Sequence, residues 1–167
     1  LEIMKAIEKA GADIIITDSS ISVVKNNLHA FEFDATECPD LFPPLVALAC
    51  HCNGVTTIKG VSRLKHKESD RATVLQTEFA KIGTVIELRG DEMLVYGGTV
   101  TGGIMHANND HRIAMAAAVA AIACKTEIEI ENTECIAKSY PGFFEDFAKI
   151  GGNHVTTDTR ITGHGIE

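Results

Sequence analysis

The hexapeptide EFAKIG at 78–83 returns as DFAKIG at 146–151, and Phe147 lies 68 residues after Phe79. A fainter copy, AIEKAG, occupies 6–11. A chain that repeats one helix-ending phrase at this period folds as stacked copies of a single unit with a shared core. In each copy the closing glycine supplies the left-handed residue that stops a helix. Strand-like runs follow the first two copies, DIIIT after Gly11 and VIEL after Gly83; NHVTT after Gly151 is weaker.

Other features recur in step. FEFDATECPD ends at Asp40 and GIMHANND ends at Asp110, and a helix follows each. The first, LFPPLVALACHC, tolerates Pro43 and Pro44 because they fall in its opening turn. The second, HRIAMAAAVAAIA, is apolar nearly all round and is expected to be buried. A strand comes next (GVTTIKGV at 54–61, TEIEIEN at 126–132), then a loop carrying Lys67 or Lys138, then the FAKIG helix. Hairpin cues at TDSS 17–20 and RGDE 89–92 close the units. The unit reads β–α–β–α–β–β, about 70 residues long, in one and a half to two and a half copies. Strands alternating with helices predict an α+β (α/β layered) fold. Hydrophobic residues are 45% of the chain but aromatics only 5%, so the core is expected to be aliphatic. The chain opens inside an amphipathic helix with Ile3, Ile7 and Ala10 on one face, so part of the working protein is expected to be absent.

The formal net charge is −8, which disfavours nucleic acid and anionic membranes as partners. Residues 63–71 run the other way: Arg63, Lys65, Lys67 and Arg71 against Glu68 and Asp70. A small basic spot on an acidic body suits a small anionic ligand. Five cysteines at irregular spacing, with no signal-peptide or membrane-spanning run, predict a reduced, cytoplasmic setting. Cys50-His51-Cys52 has no second pair at ligand spacing, so these read as buried small residues at a helix end and no metal is expected.

Asp40, Ser69, Asp110 and Ser139 are candidate helix N-caps. Lys67, Arg71, Arg112 and Lys138 are then placed at helix starts, where each cation opposes the helix dipole by ~0.3–1 kcal/mol. An anion bound among them would reverse that sign. Taken singly, each motif has a plain alternative. KESDR can be a solvated helix start, Asp110 a simple cap, and His111 a donor to a backbone carbonyl.

Together, CPDLFPPLVALA, HKESDR, NDHRIAMAAAVAA and AKSYPGFFEDF resemble the 3-phosphoshikimate 1-carboxyvinyltransferase (EPSP synthase) family over residues 1 to about 152. The resemblance implies the enolpyruvyl transferase inverse α/β barrel, with three βαβαββ units per domain. It implies that 1–152 is the C-terminal domain, beginning within its first unit and lacking the N-terminal domain, and that 153–167 is the last strand and a tail. It implies transfer of the enolpyruvyl group of phosphoenolpyruvate to the 5-hydroxyl of shikimate 3-phosphate, with no cofactor. By matched position, Asp40 contacts the ring hydroxyls and helps deprotonate the attacking one, with Lys67 beside it. Glu68 protonates the enol methylene and later takes the proton back. Arg71 and Arg112 clamp the phosphoenolpyruvate carboxylate, Lys138 holds its phosphate, and His111 orients. Arg63 stands where several members carry Asn, and no role is carried to it. The fragment alone is expected to be inactive; the alternative is a non-catalytic small-anion-binding module.

Overall fold

The computed structural model describes residues 2–65, 67, 69–124, 126–157 and 160–164, with backbone only for 153–157 and 160–164. Helix α1 (Glu2–Lys9) leads into the hairpin β1 (Asp13–Ile16) and β2 (Ile21–Val24). Two units of one topology follow. The first is β3 (Glu32–Asp34), α2 (Phe42–Ala49), β4 (Gly54–Lys59), α3 (Arg71–Ala80), β5 (Val85–Arg89) and β6 (Glu92–Gly97). The second is β7 (Gly103–His106), α4 (His111–Ala121), β8 (Ile128–Glu131), α5 (Phe143–Lys149), β9 (Asn153–Thr157) and β10 (Arg160–His164).

The sheets repeat strand for strand. Their orders are β3-β4-β6-β5 and β7-β8-β10-β9. In each, the first two strands are parallel and the other neighbours antiparallel. This is the βαβαββ unit read from the FAKIG repeat, in an α+β architecture. Two features were not foreseen. Residues 160–164 add a strand beside β8, where one closing strand and a tail were expected. Short 3-10 turns at Pro39–Leu41, Val61–Leu64 and Thr133–Lys138 precede α2, α3 and α5.

The core is aliphatic, as composition requires. In α4, Ile113 and six alanines from Ala114 to Ala121 are buried; in α2, Phe42, Leu45, Val46, Ala47 and Ala49 are buried. Small side chains let these helices approach closely, and His51 Nε2 lies 2.9 Å from the Ala120 carbonyl oxygen across their contact. Gly97 allows a second close approach: a Cβ there would stand 2.0 Å from the Cys52 carbonyl oxygen and 2.4 Å from that of Ala49. Leu75 and Phe79 of α3, and Ile82 just past its end, are fully buried. Ile150, the counterpart of Ile82 in the second copy of the phrase, is instead 79% exposed. The β1–β2 hairpin also presents Ile15, Ile16 and Val24 to solvent despite its apolar sequence.

Candidate active site

Asp40, Lys67, Asp110 and Lys138 sit on the segments that leave β3, β4, β7 and β8. These are the two parallel strand pairs, and the carboxyl ends of parallel strands are where open α/β sheets place ligands. The repeat therefore delivers equivalent loops to one edge.

Asp40 is the meeting point. Its Oδ1 accepts from Arg71 Nη1 at 2.9 Å and lies 3.3 Å from Lys67 Nζ; its Oδ2 accepts from Arg112 Nη2 at 3.1 Å. Asp40 is not the cap expected of it. It lies inside the 3-10 turn Pro39–Leu41, Leu41 is the residue before α2, and no side chain caps that helix. The carboxylate turns instead to three cations supplied by distant segments. Burial would raise its pKa, but the charge of Arg112 and the bonds from Arg71 and Lys67 outweigh this and hold it below the usual carboxylate range.

Asp110 does cap. It accepts from the Arg112 backbone N–H at 3.0 Å, and its other oxygen accepts from Arg71 Nε at 2.8 Å and Ser69 Oγ at 3.2 Å. It is fully buried. Burial again pushes its pKa up, and the Arg71 bond and charge, with the Arg112 amide and Ser69 hydroxyl, bring it below its ordinary value. Ser69 thus spends its hydroxyl on Asp110 instead of capping α3, whose cap position is Asp70. Arg71 is buried and spans both aspartates, while Lys67 and Arg112 keep 29% and 36% of their side chains in solvent.

Lys138 does not open a helix. It ends the 3-10 turn Thr133–Lys138, where a cation suits the dipole, and its Nζ is held by Asn109 Oδ1 at 2.9 Å and the Asn109 carbonyl at 3.4 Å. Ser139 caps nothing, since α5 starts four residues later behind Gly142. His111 is buried in the first turn of α4, and Arg63 is exposed on the Val61–Leu64 turn. Glu68 lies outside the described residues, as does His66.

A cleft of 280 Å³ opens beside the cluster, with Asp40 and Arg112 at one end and Leu41, Met115 and Phe143 along an apolar wall. A larger groove of 330 Å³ runs between α1, α2 and α4, but Lys25 is its one charged lining residue. Only the first of these two is lined by members of the Asp40 cluster. Cys50, His51 and Cys52 bond three separate carbonyls, those of Ala47, Ala120 and Leu48, so their side chains do not converge. No helix among the described residues is long and apolar enough to cross a membrane.

Sequence reading missed Glu78. It is 5% exposed, and its carboxylate holds the loop ahead of Asp110 through His106 and Asn108. The acidic residue that opens each of EFAKIG and DFAKIG was the available signal.

The sequence model of EPSP synthase (3-phosphoshikimate 1-carboxyvinyltransferase) matches residues 1–147. The 3-phosphoshikimate 1-carboxyvinyltransferase of Clostridium novyi is 40% identical over 151 residues, 90% of this chain and 35% of that protein. That of Clostridioides difficile is 36% identical over 153 residues, with the same coverage. The chain thus spans about a third of the length of these curated relatives. The EPSP synthase structure from Acinetobacter baumannii superposes with a TM-score of 0.79 at 24% identity, covering 89% of this chain and 38% of that one, a likeness of fold.

Proposed function

Because the chain belongs to the EPSP synthase (3-phosphoshikimate 1-carboxyvinyltransferase) family, we propose that it forms one wall of a site for enolpyruvyl transfer. The reaction joins phosphoenolpyruvate to the 5-hydroxyl of shikimate 3-phosphate and releases phosphate. The remaining two-thirds of the family's length supplies the other wall, so this chain alone does not turn over. The convergence of Lys67, Arg71 and Arg112 on Asp40, from both repeat units, carries this proposal.

In the proposed sequence, Asp40 and Lys67 flank the attacking hydroxyl and take its proton as oxygen bonds to C2 of the enolpyruvyl group. Glu68 delivers a proton to the methylene carbon, giving a tetrahedral ketal. The same carboxylate then removes a proton as the C–O bond to phosphate breaks, a task for one group working in both directions. Arg112 and Lys67 reach solvent and take the first contact with a ligand anion. Guanidinium forks suit a carboxylate, and Arg71 joins Arg112 in the clamp once Asp40 has turned toward the hydroxyls of the shikimate ring. Lys138 lies beside the same loop for the phosphate, and His111 orients Arg112. Free, mostly buried cysteines fit a reducing, cytoplasmic setting.

Phosphate release tests the proposal. The chain with both substrates should release none, and the chain joined to the remaining portion of a family member should release it with shikimate 3-phosphate present. A folded, joined protein without phosphate release refutes the activity. Tight phosphoenolpyruvate binding by the chain alone, with no turnover after joining, supports the plain anion-binding module instead.

A further inference from the structure

Glu78 and Asp146 occupy the same place in the two units, yet they do different work. Asp146 keeps 48% of its side chain in solvent and bonds locally, to Tyr140 Oη at 2.6 Å and Lys149 Nζ at 2.7 Å. The unit therefore folds without a buried carboxylate at this place. Glu78 is buried and reaches out of α3 to the segment that follows β7. Its Oε2 accepts from the His106 backbone N–H at 2.7 Å and from Lys81 Nζ at 2.7 Å; its Oε1 accepts from Asn108 Nδ2 at 3.3 Å.

The segment it grips is unusual. Asn108 and Asn109 have φ of 52° and 61°, consecutive left-handed residues that are not glycine. From that turn the chain passes straight into Asp110 and Arg112. On its far side, Asn109 donates its backbone N–H to Asn132 Oδ1 at 2.6 Å, and Asn109 Oδ1 accepts from Lys138 Nζ at 2.9 Å. The Asn108–Asn109 turn thus sets the spacing between two cations, Arg112 and Lys138, and Glu78 bonds it from below.

We propose that Glu78 is a positioning residue. It holds the Asn108–Asn109 turn left-handed and so sets Arg112 and Lys138 at the separation that a phosphate-bearing carboxylate such as phosphoenolpyruvate requires. This deepens the proposed function and rests on it. Glu78 touches no substrate; it acts through the turn.

The test uses Glu78→Gln, with Asp146→Asn as the repeat-matched control. Backbone torsions of Asn108 and Asn109 come from NMR shifts and couplings, and phosphoenolpyruvate affinity from titration. In E78Q the two asparagines should leave the left-handed region, and affinity should fall about ten- to a hundredfold, the range that misplaced binding groups produce. D146N should change neither. Adding Asn108→Gly to E78Q should recover part of the affinity, because glycine adopts a positive φ about as readily as a negative one and needs no clamp to reach it. Folded E78Q with both torsions and affinity intact overturns the proposal, as does an equal loss in D146N or a folded double variant without recovery. If E78Q does not fold, Glu78→Asp, too short by one methylene to span both contacts, gives the same readouts. If the unsubstituted protein does not bind phosphoenolpyruvate even when joined to its remaining portion, the functional proposal fails, and the torsions alone decide the role of Glu78.

Discussion

Replacing Asp110 with Asn tests the buried bridge between the two repeat units. Arg71 is held in the interior by two carboxylates, and Asp110 is the fully buried one. Removing one partner of a buried ion pair costs ~3–5 kcal/mol, because the other charge is left without compensation. Asn keeps an oxygen for the Arg112 amide, and Arg71 keeps Asp40, so the loss should lie near the lower end, ~3 kcal/mol. Asp110→Ala also removes the cap, adding ~1 kcal/mol. With a urea dependence of roughly 2 kcal/mol per molar, a loss of ~3 kcal/mol moves the unfolding midpoint by about 1.5 M. The difference should also depend on pH. The folded carboxyl titrates below its ordinary value, so its contribution is complete above the unfolded pKa of about 3.9 and is lost as pH falls through the folded one. The two proteins should converge in acid. Combining Asp110→Ala with Arg71→Met should cost less than the two single changes together. A cost below ~1 kcal/mol for D110N, or a gap that persists at low pH, would refute the bridge as a stabilising device.

Three further outcomes are expected. Asp40→Asn removes the carboxylate that occupies Lys67 and Arg112, two partly exposed pairs worth up to ~1 kcal/mol each, so inorganic phosphate should bind the chain about five- to tenfold more tightly; weaker binding in calorimetry would contradict this. Gly97→Ala drives a methyl into the Cys52 and Ala49 carbonyls and should cost ~2–3 kcal/mol in urea unfolding, whereas Gly90→Ala, open to space but at positive φ, should cost ~1 kcal/mol. Burial pushes the thiols of Cys50 up to about 12 and of Cys52 and Cys135 to about 11, so a thiol reagent at pH 8 should label the half-buried Cys38 first and those three only on unfolding; early labelling of Cys50, read by peptide mapping, would count against that core.

The repeat made the architecture legible, because a unit that closes twice with FAKIG has to place its strands and helices in the same order twice. Burial of α4 followed from its unbroken apolar run from Ile113 to Ala121. Capping was legible only where it is local. Asp110 could be identified because its partner, the Arg112 amide, is two residues away. Asp40 could not, because its partners lie 31 and 72 residues downstream and compete with the nearby helix end for the same oxygens. Ser69 fails as a cap for the same reason, being drawn to Asp110. Ser139 fails because Pro141 and Gly142 delay the helix. Lys138 was assigned to a helix start because a 3-10 turn has no hydrophobic period to announce it. Glu78 was hidden by its half-exposed counterpart: one position in a repeated phrase gives no hint that its two copies face different surroundings.

Asp40 and Asp110 stand at matching places in successive units and share one guanidinium. Interior placement makes the second of them an anchor whose charge is committed to the neighbouring guanidinium and helix start. The first inherits the same hold from Arg71 but stays open to water, which leaves it free to trade partners. Duplication thus gives the protein a fixed post and, in the function proposed for it, a movable hand from one local design, one whose grip would change without the scaffold having to move.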